Sequence, residues 1–179
     1  MKQLSSTVIY ENDWMRLRED EIELADGSQS IYGVIERKDF AVVLARECID
    51  GVEGFWLVEQ FRYPIQELSL EFPQGSWAGT KTGEPIELAH AELAEETGLR
   101  AGVMHHLGRM WQSVGSSTQG FDVWLATNLM QGAQALEPSE AGMVSRFVPD
   151  AVLEELISSG ALKDSTTVAA LMIWKLKYA

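Results

Sequence analysis

Apolar and polar side chains alternate in two consecutive runs, WMRLREDEIEL (14–24) and QSIYGVIER (29–37), joined by ADGS at 25–28. A period of two is the strand period, and an Asp-Gly connection reverses the chain tightly, so these runs form an antiparallel hairpin. Two further apolar runs, FAVVLARE (40–47) and FWLVEQF (55–61), flank a polar turn at 48–54 and extend a mostly antiparallel meander. After LSLEF (68–72) and the Gly-rich stretch PQGSWAGTKTG (73–83) comes one helix, with Pro85 suited to its first turn and Gly98 to the position just past its end. Strands are predicted at 103–112, 121–128 and 143–148, and helices at 150–159 and, behind Asp164 as N-cap, at 165–177. Strands around a central helix, closed by two terminal helices, predict an α+β chain or α/β/α sandwich.

Length and composition narrow the function classes. The 179 residues suffice for one well-cored domain with a small N-terminal appendage, and 46% hydrophobic content with six Trp is ordinary for a globular chain. A net charge of −13 argues against a nucleic-acid partner, because phosphate-backbone binders present a basic face. A small anionic ligand would need local help from a metal or a few Arg. Cys48 is the single cysteine, the first residues lack the apolar core of a signal peptide, and no apolar run approaches a membrane span. The expectation is a cytoplasmic protein without a membrane partner.

The central helix carries the chemistry. In AHAELAEETGLR (89–100), Glu92, Glu95 and Glu96 crowd its last turns, and the helix has no Lys or Arg. Like charges one turn apart repel, and carboxylates near a helix C-terminus oppose its dipole, each at roughly 0.3–1 kcal/mol. With Ile86 as origin, Ala89, Leu93 and Thr97 fall within about 60° and predict the buried stripe, with Glu92 and Glu96 at its boundary. Carboxylates at this spacing suit a hard cation such as Mg²⁺. The spacing alone equally describes a solvated acidic face.

The stretch from Gly75 through Glu92, Leu93, Glu95, Glu96, Gly98 and Leu99 resembles the Nudix box, a loop–helix–loop that binds divalent metal. The box is variant here. Ala91 stands where the family usually has an Arg that braces the carboxylates, and Gly83 stands at the isolated acid unless Glu84 substitutes by a one-residue slip. The spacer after Gly75 is also longer than usual.

Beyond the box, almost the whole chain is similar to the ADP-ribose pyrophosphatase branch. VIYENDWMRLREDEIELADGSQSIYGVIERKDFAVVLA resembles its three-stranded appendage leading into the core, LVEQFRYPIQELSLEFPQG its entry to the box, and DSTTVAALMIWKL its last helix. The resemblance implies an α/β/α sandwich with a mixed central sheet, an appendage over 1–38 and a hydrolase domain over 39–179. It also implies a homodimer through the appendage, and hydrolysis of a nucleoside diphosphate sugar with Mg²⁺, or Mn²⁺, as cofactor.

Residue by residue, the resemblance implies that Glu92, Glu95 and Glu96 bind the metal with the backbone carbonyl of Gln74. Trp14 and Tyr32 match the aromatics that sandwich the base, and Arg37 and Arg62 match the phosphate or ribose contacts. As residues alone, these aromatics and arginines equally suit core packing and surface ion pairs. The catalytic base would come from a late loop, where Glu140 and Glu137 are both candidates. WQSVGSSTQGFDVW, in place of a loop that usually bears an acid, has only Ser, Thr and Gln before Asp122. Adjacent His105 and His106 would point to opposite faces of a strand, His90 reads as surface, and Cys48 has no Cys-His-acid pattern around it.

Overall fold

A computed structural model describes residues 1–79 and 81–178; Thr80, within the Gly-rich stretch, and Ala179 lie outside the described residues. The N-terminal strands β1 (Lys2–Glu11), β2 (Arg16–Glu23) and β3 (Gln29–Glu36) form a separate antiparallel sheet in the order β1-β2-β3. The Asp-Gly turn forms as the sequence predicts. Gly27 takes φ 81°, and the Asp26 carboxylate accepts bonds from the backbone N–H and hydroxyl of Ser28.

The main sheet contains β4 (Phe40–Ile49), β5 (Val52–Arg62), β8 (Leu99–Trp111), β9 (Gly120–Gln131) and β10 (Val144–Pro149) in the order β10-β5-β4-β9-β8. Two short strands join it: β6 (Glu67–Glu71) pairs with β5, and β7 (Gln74–Gly75) with β4. The β4–β5 hairpin is antiparallel, as the meander requires, whereas β4 pairs in parallel with β9 on its other side. This parallel pair makes the sheet mixed.

Both faces of the sheet are covered, and β4 shows why. Its alternate residues Val42 and Leu44 enter the core beneath α2 (Asp150–Ser158) and α3 (Ser165–Tyr178), while Ala41, Val43 and Ala45 pack with Leu88, Ala89 and Leu93 of α1 (Pro85–Thr97). A strand buried on both faces reads as a continuous apolar run. FAVVLA is that run. The result is the α/β/α sandwich, with α1 on one face and α2 and α3 on the other. No described helix is long and apolar enough to cross a membrane.

The structure corrects the orientation of α1. Its buried positions are Leu88, Ala89, Glu92, Leu93, Glu96 and Thr97, and at about 100° per residue they span an arc of about 180° with Glu96 near its middle. The two glutamates are therefore part of the packed face and not its boundary. Ile86, in the first turn ahead of that packing, is 39% exposed. A second adjustment concerns β8, which starts at Leu99 instead of 103. It starts there because Gly98 ends the helix in the left-handed region, φ 75°, and turns the chain straight into the sheet.

At Gly98 both strain and space exclude a side chain. A Cβ there would lie 2.9 Å from the Gly132 carbonyl oxygen and 3.0 Å from the Gln134 nitrogen. Left-handed backbone costs a non-glycine residue about 1–2 kcal/mol before any clash is added. Gly98→Ala is thus expected to lower unfolding stability by at least about that amount, read as a shift in the urea midpoint at constant m-value; an unchanged midpoint would refute this account of the helix end.

Candidate active site

The site forms where β7 runs beside α1. The pairings Ala41 with Gly75 and Val42 with Gln74 hold β7 at the sheet edge, and the Val43 N–H donates to the Pro73 carbonyl at 2.9 Å. From there the Gln74 N–H donates to Oε2 of Glu96 at 3.0 Å. The Glu92 carboxylate lies so close to Gly75 that a Cβ on that residue would overlap it. Only glycine leaves room for both.

Glu92 and Glu96 are deeply buried, at 8% and 1% exposure. Removal from water pushes the Glu92 carboxyl up to about 8, with Glu95, Glu140 and Glu137 adding repulsion and Lys81 opposing it. The same desolvation, aided by Glu92, raises Glu96 well above the usual carboxylate range, against the Gln74 N–H that favours its charge. Among the described residues, no Lys, Arg or His nitrogen lies within ion-pair distance of Glu92, Glu95 or Glu96. Lys81 and Arg62 act on them only at longer range.

These carboxylates open into a cleft of about 410 Å³, also lined by Trp14, Arg37, Arg62, Gln74, Glu137 and Glu140. Trp14 is presented by a turn in which the Asn12 side chain accepts the Trp14 and Met15 N–H groups, each at 2.9 Å, and its residue is 74% exposed. Arg37 makes no hydrogen bond or ion pair among the described residues. Arg62, by contrast, is engaged: its Nε and Nη2 donate to the two Glu71 oxygens at 2.9 and 2.5 Å. Glu137 and Glu140 belong to a single 3-10 turn, Pro138–Glu140, in which the Glu137 N–H donates to the Glu140 carboxylate at 2.9 Å.

Tyr32 is the one candidate outside this group. It lines neither this cleft nor its larger neighbour, and its hydroxyl donates to the Gly115 carbonyl at 2.8 Å, in the loop after β8. That loop bridges to β3 through the Ile35 and Ser117 pair, so the appendage rests on the main body there. The neighbouring cleft, about 740 Å³, shares Arg37, Arg62 and Gln74 and adds Lys163, Ser165 and Thr166 from the start of α3.

Three residues that the sequence did not assign to the site, Asp164 being expected only as a helix cap, also shape it. Lys38 lines the smaller cleft and extends its ammonium to the carbonyls of Trp77, Gly79 and Lys81, tying down the Gly-rich stretch. Glu71, nine-tenths buried and paired with Arg62, and Asp164, the cap of α3, both accept from the Gln74 amide. A lone acid in the otherwise apolar LSLEF was the available signal for Glu71. Of the imidazoles, His106 pairs with Asp122 at 2.8 Å and stacks near Trp124, away from the cleft.

The donor set suits a hard divalent cation. Two desolvated carboxylates one helical turn apart, lacking any cationic partner at contact distance, are stabilised either by protons or by an oxygen-seeking ion. Among the described residues no three such groups already converge on one point, so an ion would draw its ligands together.

Known proteins resemble this chain in sequence and in fold. The family model described as "Nucleoside diphosphate sugar hydrolase N-terminal domain" matches residues 1–35. An ADP-ribose pyrophosphatase of Bacillus subtilis (strain 168) is 27% identical over 181 residues, covering 99% of this chain and 94% of the relative. A methanol dehydrogenase activator of Bacillus methanolicus is 26% identical with the same coverage of 99% and 94%. The crystal structure of an ADP compounds hydrolase superposes with a TM-score of 0.80 at 17% identity, covering 98% of this chain and 93% of the other, and so shares the fold. With three glutamates of its acidic helix gathered at one cleft, the chain is similar over nearly its whole length to an ADP-ribose pyrophosphatase and shares its fold with an ADP compounds hydrolase.

Proposed function

We propose that the protein is a Mg²⁺-dependent pyrophosphohydrolase that cleaves ADP-ribose or a related nucleoside diphosphate sugar to a nucleoside monophosphate and a sugar phosphate; Mn²⁺ would serve in place of Mg²⁺. The observation that carries this reading is the buried pair Glu92 and Glu96, facing a cleft that also holds Arg37 and Arg62. Glu92, Glu95, Glu96 and the Gln74 carbonyl would hold the metal. When bound, the ion supplies positive charge against the diphosphate oxygens.

The chain's own groups do the rest. Arg37 presents an uncommitted guanidinium to the diphosphate, and Arg62 contributes the edge left outside its pair with Glu71. Trp14 offers an exposed indole face on which a base stacks. Glu140 takes the proton of the attacking water. Glu137, which precedes the same 3-10 turn and lines the same cleft, is the alternative.

Residues 1–38 would act as a dimerising appendage and 39–179 as the hydrolase domain. The support is exposed apolar surface on the small sheet: Val8, Ile9, Tyr10 and Ile31 are 50%, 57%, 54% and 62% exposed. A partner would cover it and bring a second aromatic, the role assigned to Tyr32, toward the base. A second reading is a nucleotide-sugar sensor with little turnover. It is favoured by Ala91 and Gly83, which leave the acidic helix without its own cation and without the isolated acid.

Monophosphate release from ADP-ribose, other nucleoside diphosphate sugars, NADH and diadenosine polyphosphates, with Mg²⁺, Mn²⁺ or EDTA, separates the two readings. Turnover of one class that EDTA abolishes is expected, and Glu96→Gln should lower it by about two to three orders of magnitude, the several kcal/mol that charge stabilisation by an ion supplies. Tight binding without cleavage would favour the sensor.

Protonation gives a test that does not need a substrate. The folded Glu92 carboxyl titrates near 8 against an ordinary 4.5, so between these values the native state holds a proton that the unfolded chain gives up. That contribution is fully present below about 4.5 and is lost as pH rises through about 8. Relative to metal-free wild type, Glu92→Gln should therefore gain in Tm from about pH 5 to about pH 8, while Mg²⁺ raises the wild-type Tm most at the alkaline end. A Tm difference that does not vary with pH would contradict the burial account.

Sedimentation across a dilution series tests the appendage. A dimer that persists to low micromolar concentration is expected, and a monomer throughout would remove the intersubunit role of Tyr32.

A further inference from the structure

The acidic helix has no cation of its own, and among the described residues the one hydrogen bond that the Glu96 carboxylate accepts comes from a backbone group, the Gln74 N–H at 3.0 Å. What fixes that peptide is unusual for a two-residue strand. The Gln74 side chain donates through Nε2 to Glu71 at 2.7 Å and to Asp164 at 3.3 Å. Each acceptor is itself immobilised. Glu71 is clamped by Nε and Nη2 of Arg62, and Asp164 accepts the Thr167 N–H at 2.8 Å at the start of α3. A further bond closes the frame, because the Thr167 hydroxyl accepts the Phe72 N–H at 2.9 Å inside the core.

We propose that the Gln74 side chain is a positioning device: by tying β7 to the Arg62–Glu71 pair and to the cap of α3, it holds the Gln74 peptide where its N–H fixes Glu96. The claim rests on the hydrolase reading for its consequence in catalysis, and on geometry alone for the brace. A β7 strand of two residues has only its pairing with β4 to orient it, so the side chain supplies the missing constraint. The same residue offers its N–H to Glu96 and, in the proposed metal site, its carbonyl to the ion. Movement of this one residue, whose N–H and C=O lie in adjacent peptide units, would thus disturb two ligands at once. Groups that orient metal ligands from behind typically carry about 10–100-fold in affinity or activity.

Two variants separate bracing from packing. Gln74→Met keeps length and volume but loses both donated bonds, and Gln74→Ala also removes the bulk. Both are expected to lower kcat by about 10-fold or more with KM changed less than about 2-fold, and to weaken activation by Mg²⁺, since the brace acts on a ligand and not on substrate. Independently of turnover, hydrogen exchange at the residue 74 amide should accelerate in both variants while the β4 and β9 amides stay protected. Wild-type kcat in Gln74→Met, or unchanged exchange at residue 74, would overturn the proposal. If the wild type cleaves nothing in the substrate panel, the hydrolase reading fails, and exchange at residue 74 still decides the brace.

Discussion

Two glutamates of one helix are removed from water without an opposing charge at contact distance, and the surrounding architecture is built to hold them there. A carboxylate in an apolar setting is costly unless it is protonated, hydrogen-bonded or bound to a cation. Glu96 receives one main-chain N–H, Glu92 none that the described residues supply, and both sit above their ordinary proton affinity. This electrostatic cost is one that a divalent ion would relieve. Its scale explains why the helix tolerates like charges that a solvated surface would simply spread apart.

The sheet makes that burial possible. Alanines at 41 and 45 let α1 lie close to β4, while the larger Val42, Leu44 and Phe55 fill the opposite face beneath α3. The close approach carries the glutamates against β7, where Gly75 has no side chain to keep them out. Arg62, Glu71 and Asp164 then connect the site to β5, β6 and the first turn of α3. Glu71 and Asp164 thereby meet at the Gln74 side chain, and Glu96 of α1 at its N–H.

The variant box acquires meaning in this setting. The chain lacks an Arg at position 91, and the cationic group nearest in role, Arg62, reaches the site from β5 through Glu71 and not from the acidic helix. Likewise Lys38, from the segment between the two sheets, gathers three carbonyls of the Gly-rich stretch. The charges of Arg62 and Lys38 are thus directed at scaffolding contacts, leaving the three acids available.

Much of this was legible in order along the chain. The Asp-Gly hairpin, the twofold-buried FAVVLA strand, Pro85 and Gly98 at the ends of α1, Asp164 as a cap and the spacing of Glu92, Glu95 and Glu96 all depend on neighbours within a few residues, and local chemistry fixes them. The parallel pairing of β4 with β9, the rotation that puts Glu96 in the middle of the packed face, the engagement of Arg62 by Glu71 and the turn of Tyr32 toward Gly115 depend on partners distant in sequence. The acids and the apolar stripe of α1 lie on adjoining arcs, so its sequence permits several orientations. Only the surface that packs against it decides which arc is buried. The sequence therefore determined which groups are available for chemistry, and tertiary packing decided which of them lose water, because desolvation is a property of what surrounds a side chain and not of the side chain itself.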